Sequence, residues 1–333
     1  MNYASLRTID AHVGGQPTRL IVDGFPTPRG KTMSDKRVWA VRHADQIRRM
    51  LMHEPRGHLD MCGAVLTEPV SPGAHAGLLF MQGDGFPILA GDAIASVVTI
   101  ALERGLIEPG GDRSTIVFDT PAGTIRTRAE RDGVRVRRVA YTLPPSFVFT
   151  AGMDVAIDGR RIRADIAFGG LFYAIVDGES AGLPLDGRYL PDLRRVGRQI
   201  TEAVEAAVTV NHPGDAALSG VCGTIFTAPS RDGAADLRNV TVFGAGGVDR
   251  SACGTGTAAV MAVIDAMGLL DDTRPFTHES LLDTTLAARV AGRTLVRDIP
   301  AIVVEVESSA YVTGEHTFVA TADDPFRAGF RVG

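Results

Sequence analysis

The pattern of hydrophobic and polar residues divides the chain into helical and extended segments. Residues 31–52 and 190–208 carry apolar residues at helical spacing with charged residues between them, which predicts two amphipathic helices. Short segments that alternate apolar and polar residues, separated by Gly, Pro and Asp, predict strands of antiparallel or mixed sheets. The predicted strands include 20–22, 115–119, 124–129, 134–143, 162–168, 171–176, 220–227, 301–306 and 311–318. The pattern therefore predicts an α/β protein.

Two further segments are largely apolar on all sides and follow turns rich in glycine. Residues 93–107 follow the turn at 84–92, and residues 258–267 follow the turn at 249–257. A helix that is apolar all round is buried, so each segment is predicted to be a buried helix. The first opens with Ala90-Gly91 and the second with Cys253-Gly254. This similarity favours an internal duplication with a site between the halves.

The length of 333 residues is sufficient for two halves, each with a core of its own. We expect residues 1–180 to form an N-terminal half around the first buried helix, and residues 181–325 to form a C-terminal half around the second. The boundary is placed in the segment 177–185, which is rich in Gly, Asp and Ser. Residues 326–333 are expected to form a tail that crosses back to the first half.

Charge and composition exclude several classes of partner. The net charge of −5 is spread without basic blocks, which argues against nucleic acid or an anionic membrane as partner. No apolar run approaches the ~18 residues that span a membrane, and the N-terminus has no signal-peptide pattern. The 3 cysteines, an odd number without a CxxC pair, give no disulfide framework. We therefore expect a cytoplasmic protein.

Cys253 is the residue with the most distinctive chemical position. A strand at 240–243 runs into the glycine-rich turn, so Cys253 is predicted to stand at the N-terminus of a buried helix. The N–H groups and positive dipole end of a helix lower the pKa of a thiol from roughly 8.5 and bind anionic groups. One turn can therefore hold a carboxylate beside a sulfur that transfers protons. The alternative is a buried thiol in a helix cap, but the flanking Asp249, Arg250 and Thr255 favour a ligand.

Other candidate residues have simpler explanations. His12 lies beside two glycines and is either a site residue or a structural hydrogen-bonding group. Cys222 lies in a predicted strand, where a packing role is expected. His12, His58, Asp60 and Asp249 are not at metal-ligand spacing, so no metal is expected. Neither glycine-rich turn carries a phosphate-loop lysine or a full GxGxxG fingerprint, so no nucleotide is expected.

Several motifs in a fixed order resemble the proline racemase superfamily along nearly the whole chain. They lie at residues 9–19, 56–61, 119–123, 168–174 and 239–243, and end with Asp249-Arg250-Ser251 followed by Cys253-Gly254-Thr255-Gly256-Thr257. The superfamily includes proline racemase, 4-hydroxyproline 2-epimerase and trans-3-hydroxy-L-proline dehydratase. The resemblance implies a fold like diaminopimelate epimerase, in which two similar α/β halves each wrap a mixed sheet around a central helix. It also implies that substrate is held between two helix N-termini.

The resemblance implies two catalytic thiols in the racemases and epimerases, one on each face of the α-carbon. The first belongs to a Met-Cys-Gly-His motif, which falls on Leu89-Ala90-Gly91-Asp92 in this chain. Ala90 replaces this thiol and Asp92 replaces the histidine, so Cys253 is what remains of the pair. Met61-Cys62-Gly63 is not the missing motif, because its neighbours assign it to an earlier segment and no helix follows it.

One thiol restricts the reactions that the chain can catalyse. Two-base inversion needs an acid and a base on opposite faces, and alanine can act as neither. Dehydration of a 3-hydroxyproline needs a base for the α-proton while hydroxide leaves from the neighbouring carbon. Superfamily dehydratases resemble this chain in keeping one thiol, although they usually keep the first. The main hypothesis is therefore cofactor-independent dehydration of trans-3-hydroxy-L-proline to a pyrroline carboxylate.

In this hypothesis Cys253 is the α-proton base. The N–H groups of Gly91, Asp92, Gly254 and Thr255 hold the carboxylate, and Asp249, together with Asp92, binds the ring ammonium. The charge of Asp92 could instead raise the pKa of the thiol. The alternatives are a 4-hydroxyproline 2-epimerase or proline racemase-type one-base isomerase, and a catalytically inactive protein that binds the ligand. We expect a small imino acid as substrate, no cofactor and, from the resemblance, a homodimer.

Overall fold

The computed structural model describes residues 5–109, 114–231 and 233–332. The chain divides into two compact units, the first formed by Met1–Tyr141 and Ser308–Gly333 and the second by Thr142–Glu307. These boundaries differ from the predicted division at 180/181, because the segment 177–185 lies inside the second unit. There the N–H of Gly178 donates to the carbonyl of Thr227 at 2.8 Å, so the segment is a crossover loop within one sheet.

The first unit, as far as it is described, is a mixed sheet around a central helix. Its elements are β1 (Leu6–Val13), β2 (Gln16–Asp23), α1 (Met33–His43), α2 (Asp45–Met52), β3 (Cys62–Thr67), β4 (Ala76–Met81), α3 (Gly91–Glu103), β5 (Thr115–Thr120), β6 (Gly123–Asp132), β7 (Arg135–Thr142) and β18 (Ala310–Phe318). The strand order is β18-β1-β2-β3-β4-β5-β6-β7. The pairs β2/β3 and β4/β5 are parallel, and the other neighbours are antiparallel.

The second unit has a sheet of the same kind. Its elements are β8 (Phe147–Ile157), β9 (Arg160–Phe168), β10 (Phe172–Asp177), α4 (Leu190–Ala207), β11 (Asn211–His212), β12 (Asp215–Ser219), β13 (Val221–Ala228), β14 (Leu237–Phe243), α5 (Gly254–Ala266), β15 (Phe276–Glu279), β16 (Thr285–Val296) and β17 (Ile299–Ser308). The strand order is β8-β9-β10-β13-β14-β15-β16-β17, and β11 and β12 form a separate ribbon. The pairs β10/β13 and β14/β15 are parallel.

The same succession of strands and crossovers occurs in both units. In each, the connection of a first parallel pair contains helices α1 and α2 or helix α4, and the connection of a second parallel pair contains an apolar helix, α3 or α5. Helix α3 packs against β1, β2, β3, β6 and β18, and α5 packs against β8, β9, β10 and β16. The predicted fold class, two similar α/β halves each with a sheet around a central helix, is confirmed.

The apolar patterns explain which helices are buried. All residues of α3 from Gly91 to Leu102 are buried, as are those of α5 from Gly254 to Val263, because neither helix has a charged face to present to water. The predicted helix at 190–208 corresponds to α4. The single helix predicted at 31–52 is wrong, since the chain turns at Ala44 (φ −126°, ψ 8°) and forms α1 and α2. Within the ranges given above, none of the helices combines the length and the apolar character that a membrane span requires.

Strands β8 and β16 were not predicted from the pattern. The register of β8 against β9 shifts twice between Val148 and Met153, and that of β16 against β17 shifts between Val290 and Gly292. A bulge inserts a residue and reverses which side chains face the core, so strict alternation is lost within the strand.

Candidate active site

The turn between β14 and α5 holds the predicted site residues of the second unit. Cys253 is the N-cap of α5, as the sequence predicts, and is buried, with 4% of its surface exposed. Its backbone has a φ of 56° and a ψ of 101°. A positive φ is uncommon for a residue other than glycine and costs free energy. The surrounding contacts must therefore hold Cys253 in this conformation.

Hydrogen bonds along the turn hold Cys253 from its N-terminal side. Asp249 Oδ1 accepts from the N–H of Ser251 at 2.9 Å and from the Ser251 hydroxyl at 3.0 Å. Ser251 Oγ in turn accepts from the N–H of Cys253 at 2.9 Å. The N–H of Asp249 donates to the carbonyl of Thr241 on β14 at 3.0 Å. The turn is thus held against the sheet, and a chain of hydrogen bonds runs along it from Asp249 to Cys253.

Two hydroxyl groups lie next to the sulfur. Cys253 Sγ is 3.6 Å from Thr255 Oγ1 and 3.8 Å from Tyr173 Oη, and the two oxygens are 2.8 Å apart. Tyr173 lies on β10 and is fully buried. Gly256 leaves room for the sulfur, because a Cβ at this position would lie 3.2 Å from both Cβ and Sγ of Cys253. The thiol therefore faces polar groups that can donate hydrogen bonds to it.

Burial changes the ionisation of two groups beside the thiol. It raises the pKa of Asp249 to about 6, although hydrogen bonds from Ser251 and from the Cys253 side chain act in the opposite direction. Burial also raises the pKa of Tyr173 well above its ordinary value, and the neighbouring cysteines add to the rise. At neutral pH Tyr173 is consequently a neutral hydroxyl, whereas Asp249 is mostly a carboxylate.

The first turn of α5 offers backbone N–H groups to an anion. The first hydrogen bond within the helix runs from the N–H of Thr257 to the carbonyl of Cys253 at 2.7 Å. The N–H groups of Gly254 and Thr255 therefore point beyond the start of the helix, where the dipole attracts negative charge. Gly169 packs directly on this turn, since a Cβ there would lie 2.2 Å from the Thr255 carbonyl oxygen. This turn can bind a carboxylate close to the Cys253 sulfur.

The first unit holds the other predicted site residues at the start of α3. Ala90 is the N-cap of this helix, with a φ of −145° and a ψ of 105°. Gly91 and Asp92 form its first turn and are buried. Ala90 has no group that can transfer a proton, and Asp92 places a carboxyl group at the positive end of the helix dipole. The starts of α3 and α5 therefore differ in their chemistry.

Three other sequence candidates, His12, Cys62 and Cys222, lie on strands. His12 Nδ1 accepts from the N–H of Gly15 at 3.2 Å, and its ring stacks on Tyr311 with 5.4 Å between centroids. Cys62 begins β3, which is followed by another strand, and Cys222 lies on β13. None of the three cysteines forms a disulfide. Among the residues with described positions, no group of three or more His, Cys, Asp and Glu could hold a metal ion.

Several residues around the thiol could not be assigned from the sequence. Tyr173 lies 80 residues before Cys253, and the sequence marked it through its motif alone. Asn239 on β14 is likewise marked through its motif alone, and His278 on β15 is not marked at all, although both are fully buried. The signal that could have found them is a polar side chain at an inward position of an apolar strand, since such groups are retained where they are hydrogen bonded.

Comparison with known proteins places these features in a family context. The family described as proline racemase matches residues 8–331. The chain is 38% identical over 326 residues to a trans-3-hydroxy-L-proline dehydratase of Bacillus cereus, covering 98% of each chain. It is 36% identical over 331 residues to a 3-hydroxyproline 2-epimerase of Burkholderia multivorans, again covering 98% of each.

Solved structures include a similar fold with an imino acid bound. A crystal structure of a hydroxyproline epimerase from Agrobacterium vitis, with bound trans-4-hydroxy-L-proline, matches with a TM-score of 0.91 and 28% sequence identity. The match covers 100% of this chain and 97% of the epimerase.

Proposed function

The chain belongs to the proline racemase family, and from this premise we propose that it removes the α-proton of a proline-like imino acid and dehydrates trans-3-hydroxy-L-proline to a pyrroline carboxylate. The observation that carries the proposal is the Cys253 thiol at the start of α5, next to two hydroxyl groups and to backbone N–H groups that suit a carboxylate. The similarity to a named dehydratase over nearly the whole chain supports the choice of reaction.

The reaction begins with Cys253 as a thiolate. Its sulfur takes the α-proton, and the electrons of the carbon–hydrogen bond form a double bond between the α- and β-carbons as the carbon–oxygen bond at the β-carbon breaks. The departing hydroxyl takes up a proton and leaves as water. The enamine that remains rearranges to the cyclic imine without further help from a second base.

The stereochemistry of this substrate makes one thiol sufficient. In trans-3-hydroxy-L-proline the hydroxyl lies across the ring from the carboxylate, and so does the α-hydrogen. The α-hydrogen and the hydroxyl are thus on the same face of the ring. A thiol on that face can take the proton and return it to the departing hydroxyl, so Ala90 need not supply a proton carrier.

Substrate charges are assigned to groups at the helix starts. We assign the carboxylate to the N–H groups of Gly254 and Thr255, and the ring ammonium to Asp249, whose carboxylate is the form present at neutral pH. Gly91 and Asp92 at the start of α3 are also proposed as substrate-binding residues. An Asp92→Asn variant tests the last assignment, with a raised KM as the expected result.

Replacement of Cys253 tests the proposal directly. Cys253→Ala and Cys253→Ser should abolish α-deuterium exchange in D₂O and formation of pyrroline carboxylate from trans-3-hydroxy-L-proline. Cys222→Ser is the matched control, because it removes another thiol of the same unit. Exchange that continues at the wild-type rate in Cys253→Ala would remove this residue from the mechanism.

A second candidate is 2-epimerisation of a hydroxyproline by one thiol and a water molecule. It is favoured by the similarity to a 3-hydroxyproline 2-epimerase. Nuclear magnetic resonance of the product separates the two reactions, because an epimerase equilibrates the two 2-epimers and forms no imine. A protein that has lost catalysis would show neither product and would still be stabilised against heat by its ligand.

We further propose that the reaction requires no cofactor and that the protein acts in the cytoplasm as a homodimer. Proton abstraction by a thiol needs neither electron transfer nor a metal ion, so activity should survive dialysis against a chelator. Sedimentation measurements test the dimer, and fractionation of cells tests the location.

A further inference from the structure

The peptide bond between Ala252 and Cys253 is held at both of its polar ends. The Ala252 carbonyl oxygen accepts from Asn239 Nδ2 at 2.8 Å and from Thr257 Oγ1 at 3.0 Å. The N–H of Cys253 donates to Ser251 Oγ at 2.9 Å. These three hydrogen bonds fix the plane of the peptide that precedes Cys253.

The fixed peptide determines the strained conformation of Cys253. On its other side, the Cys253 carbonyl accepts the first hydrogen bond of α5, from Thr257 N–H at 2.7 Å. With the peptide planes before and after it both held, the rotation at Cys253 is forced to a φ of 56°. This rotation sets the direction in which Cβ and Sγ leave the backbone. Loss of either restraint would let the residue relax to a negative φ and turn the sulfur away.

His278 lies behind both donors to the Ala252 carbonyl. Its Nδ1 is 3.1 Å from Asn239 Nδ2 and 2.9 Å from Thr257 Oγ1, and the side chain is fully buried. Asn239 Nδ2 carries two hydrogens, so one reaches the Ala252 carbonyl and the other reaches Nδ1. His278 Nδ1 must then be an acceptor. Burial supports this state, since it lowers the pKa of His278 to about 3 and keeps the ring neutral. The Thr257 hydroxyl has a single proton, which it gives either to Nδ1 or to the Ala252 carbonyl, so of the two donors Asn239 is the one that bonds to both at once.

Two buried polar atoms of this arrangement, His278 Nε2 and Asn239 Oδ1, have no hydrogen-bond partner among the described residues of the protein. Such atoms lower stability, and apolar side chains at both positions would avoid this cost. Their presence is explained if the histidine and the asparagine serve the turn rather than the core.

We propose that His278 is a positioning residue that orients Asn239 through a hydrogen bond and Thr257 through direct contact, and so holds Cys253 in its strained conformation and directs its thiol at the substrate. The link to catalysis rests on the function proposed above. The direction and reactivity of the thiol can be measured without any substrate, so the two proposals can fail separately.

The test uses variants matched for shape and hydrogen bonding. His278→Asn keeps a polar atom near the position of Nδ1, His278→Gln places one near Nε2, and His278→Leu keeps neither. Thr257→Val removes the hydroxyl with little change in shape, and Thr257→Ser retains it. All variants are made with Cys62→Ser and Cys222→Ser, so that Cys253 is the one thiol. Thermal melting and circular dichroism identify the variants that are folded.

The first readout is the rate of Cys253 alkylation by iodoacetamide as a function of pH. We expect His278→Leu, His278→Gln and Thr257→Val to slow alkylation at least tenfold or to shift its pH profile by a full unit, and His278→Asn and Thr257→Ser to stay within threefold of the parent. The second readout is turnover of trans-3-hydroxy-L-proline, for which kcat should fall in the same order while KM changes less than threefold. A simple loss of packing would not be reversed by His278→Asn.

The proposal is overturned if folded His278→Leu alkylates like the parent at every pH, or if His278→Asn is as slow as His278→Leu. Should the His278 variants fail to fold, the Thr257→Val and Thr257→Ser pair decides in the same way. If the variants alkylate more slowly than the parent while the parent turns over no imino acid, the proposed function is contradicted and the positioning role is supported. If the parent turns over the imino acid but the variants alkylate at the parent's rate, the proposed function is supported and the positioning role is contradicted.

Discussion

The sulfur of Cys253 lies 3.8 Å from the hydroxyl oxygen of Tyr173, and both residues are buried. Thr255 Oγ1 is within 2.8 Å of the tyrosine oxygen and 3.6 Å of the sulfur. Each hydroxyl has one proton to donate, and the bond between the two oxygens uses one of them. The other proton can point to the sulfur. Because burial raises the pKa of Tyr173 well above its ordinary value, this pair is neutral at pH 7 and can stabilise a thiolate.

Tyr173→Phe should raise the pKa of the Cys253 thiol. A hydrogen bond to a charged group contributes about 1.5–3 kcal/mol, which corresponds to about one to two pKa units if it is made to the thiolate alone. We expect a shift of about one unit, because Thr255 retains its hydroxyl, and a loss of about tenfold in kcat/KM at pH 7. The pH dependence of alkylation by iodoacetamide measures the pKa. An unchanged profile would show that the tyrosine hydroxyl does not reach the sulfur.

Asp249→Asn should change the acidic limb of the pH–rate profile. The pKa of Asp249 is raised to about 6, chiefly by burial, so its carboxylate is lost below that pH and with it the attraction for the ring ammonium. In the wild type, the slope of log kcat/KM against pH should steepen by one below about pH 6, whereas the variant should lack this steepening. At pH 7 the kcat/KM of the variant should be about 10- to 100-fold lower than that of the wild type. A profile that steepens equally in the two proteins would assign the titration to another group.

His278→Asn should weaken the dependence of stability on pH. Burial lowers the pKa of His278 from 6.5 to about 3, so the unfolded chain binds a proton below pH 6.5 that the native ring does not. The stability that His278 contributes is therefore present above pH 6.5 and is lost as the pH falls towards 3.

Urea unfolding at pH 7 and at pH 4.5 measures this effect. Between these pH values the free energy of unfolding of the wild type should fall by about 2–3 kcal/mol more than that of His278→Asn. Asp249 contributes in the opposite direction, since its native pKa is raised, but it is present in both proteins and cancels. Equal losses would mean that the buried ring is protonated in the native state.

Gly256→Ala should reduce activity more than stability. The added Cβ would lie 2.9 Å from Ile225 Cδ1, the end of a side chain that can move, and 3.2 Å from both Cβ and Sγ of Cys253. Alanine also favours a helix over glycine by up to ~1 kcal/mol, which offsets part of the strain. We expect a change below about 1 kcal/mol in the free energy of unfolding and at least a tenfold fall in kcat. Gly187→Ala is the control, because no atom lies within 4 Å of its added Cβ.

The sequence predicts those parts of the fold that a local pattern encodes. It predicts helices α3 and α5 because they are apolar all round, and the glycines and the strand before Cys253 place it at a helix start. The bulged strand β8 was missed because its register shifts remove the alternation. The return of β18 to the first unit was also beyond a local pattern, since pairing between Leu6 and Phe318 joins opposite ends of the chain.

The immediate surroundings of the thiol depend on contacts that are distant in sequence. Tyr173 reaches the sulfur because β10 pairs with β13 in one register, and a shift of one residue would turn its side chain to the other face. The positive φ of Cys253 is contrary to the preference of its residue type and is set by side chains on β14 and β15. Such conformations follow from tertiary structure and have no local signature.

The pairing of β18 with β1 has a consequence for synthesis on the ribosome. Residues 142–307 are contiguous, so the second unit can finish folding while the chain is still growing. Strand β1 is synthesised before the second unit yet waits for Ala310–Phe318, and until then it offers an uncovered edge to other nascent chains. A protein truncated before residue 310 would contain a folded second unit with its Cys253 turn, but strand β1 would keep an exposed edge that is prone to aggregate. Chaperones would then act near β1, although the missing residues follow the second unit.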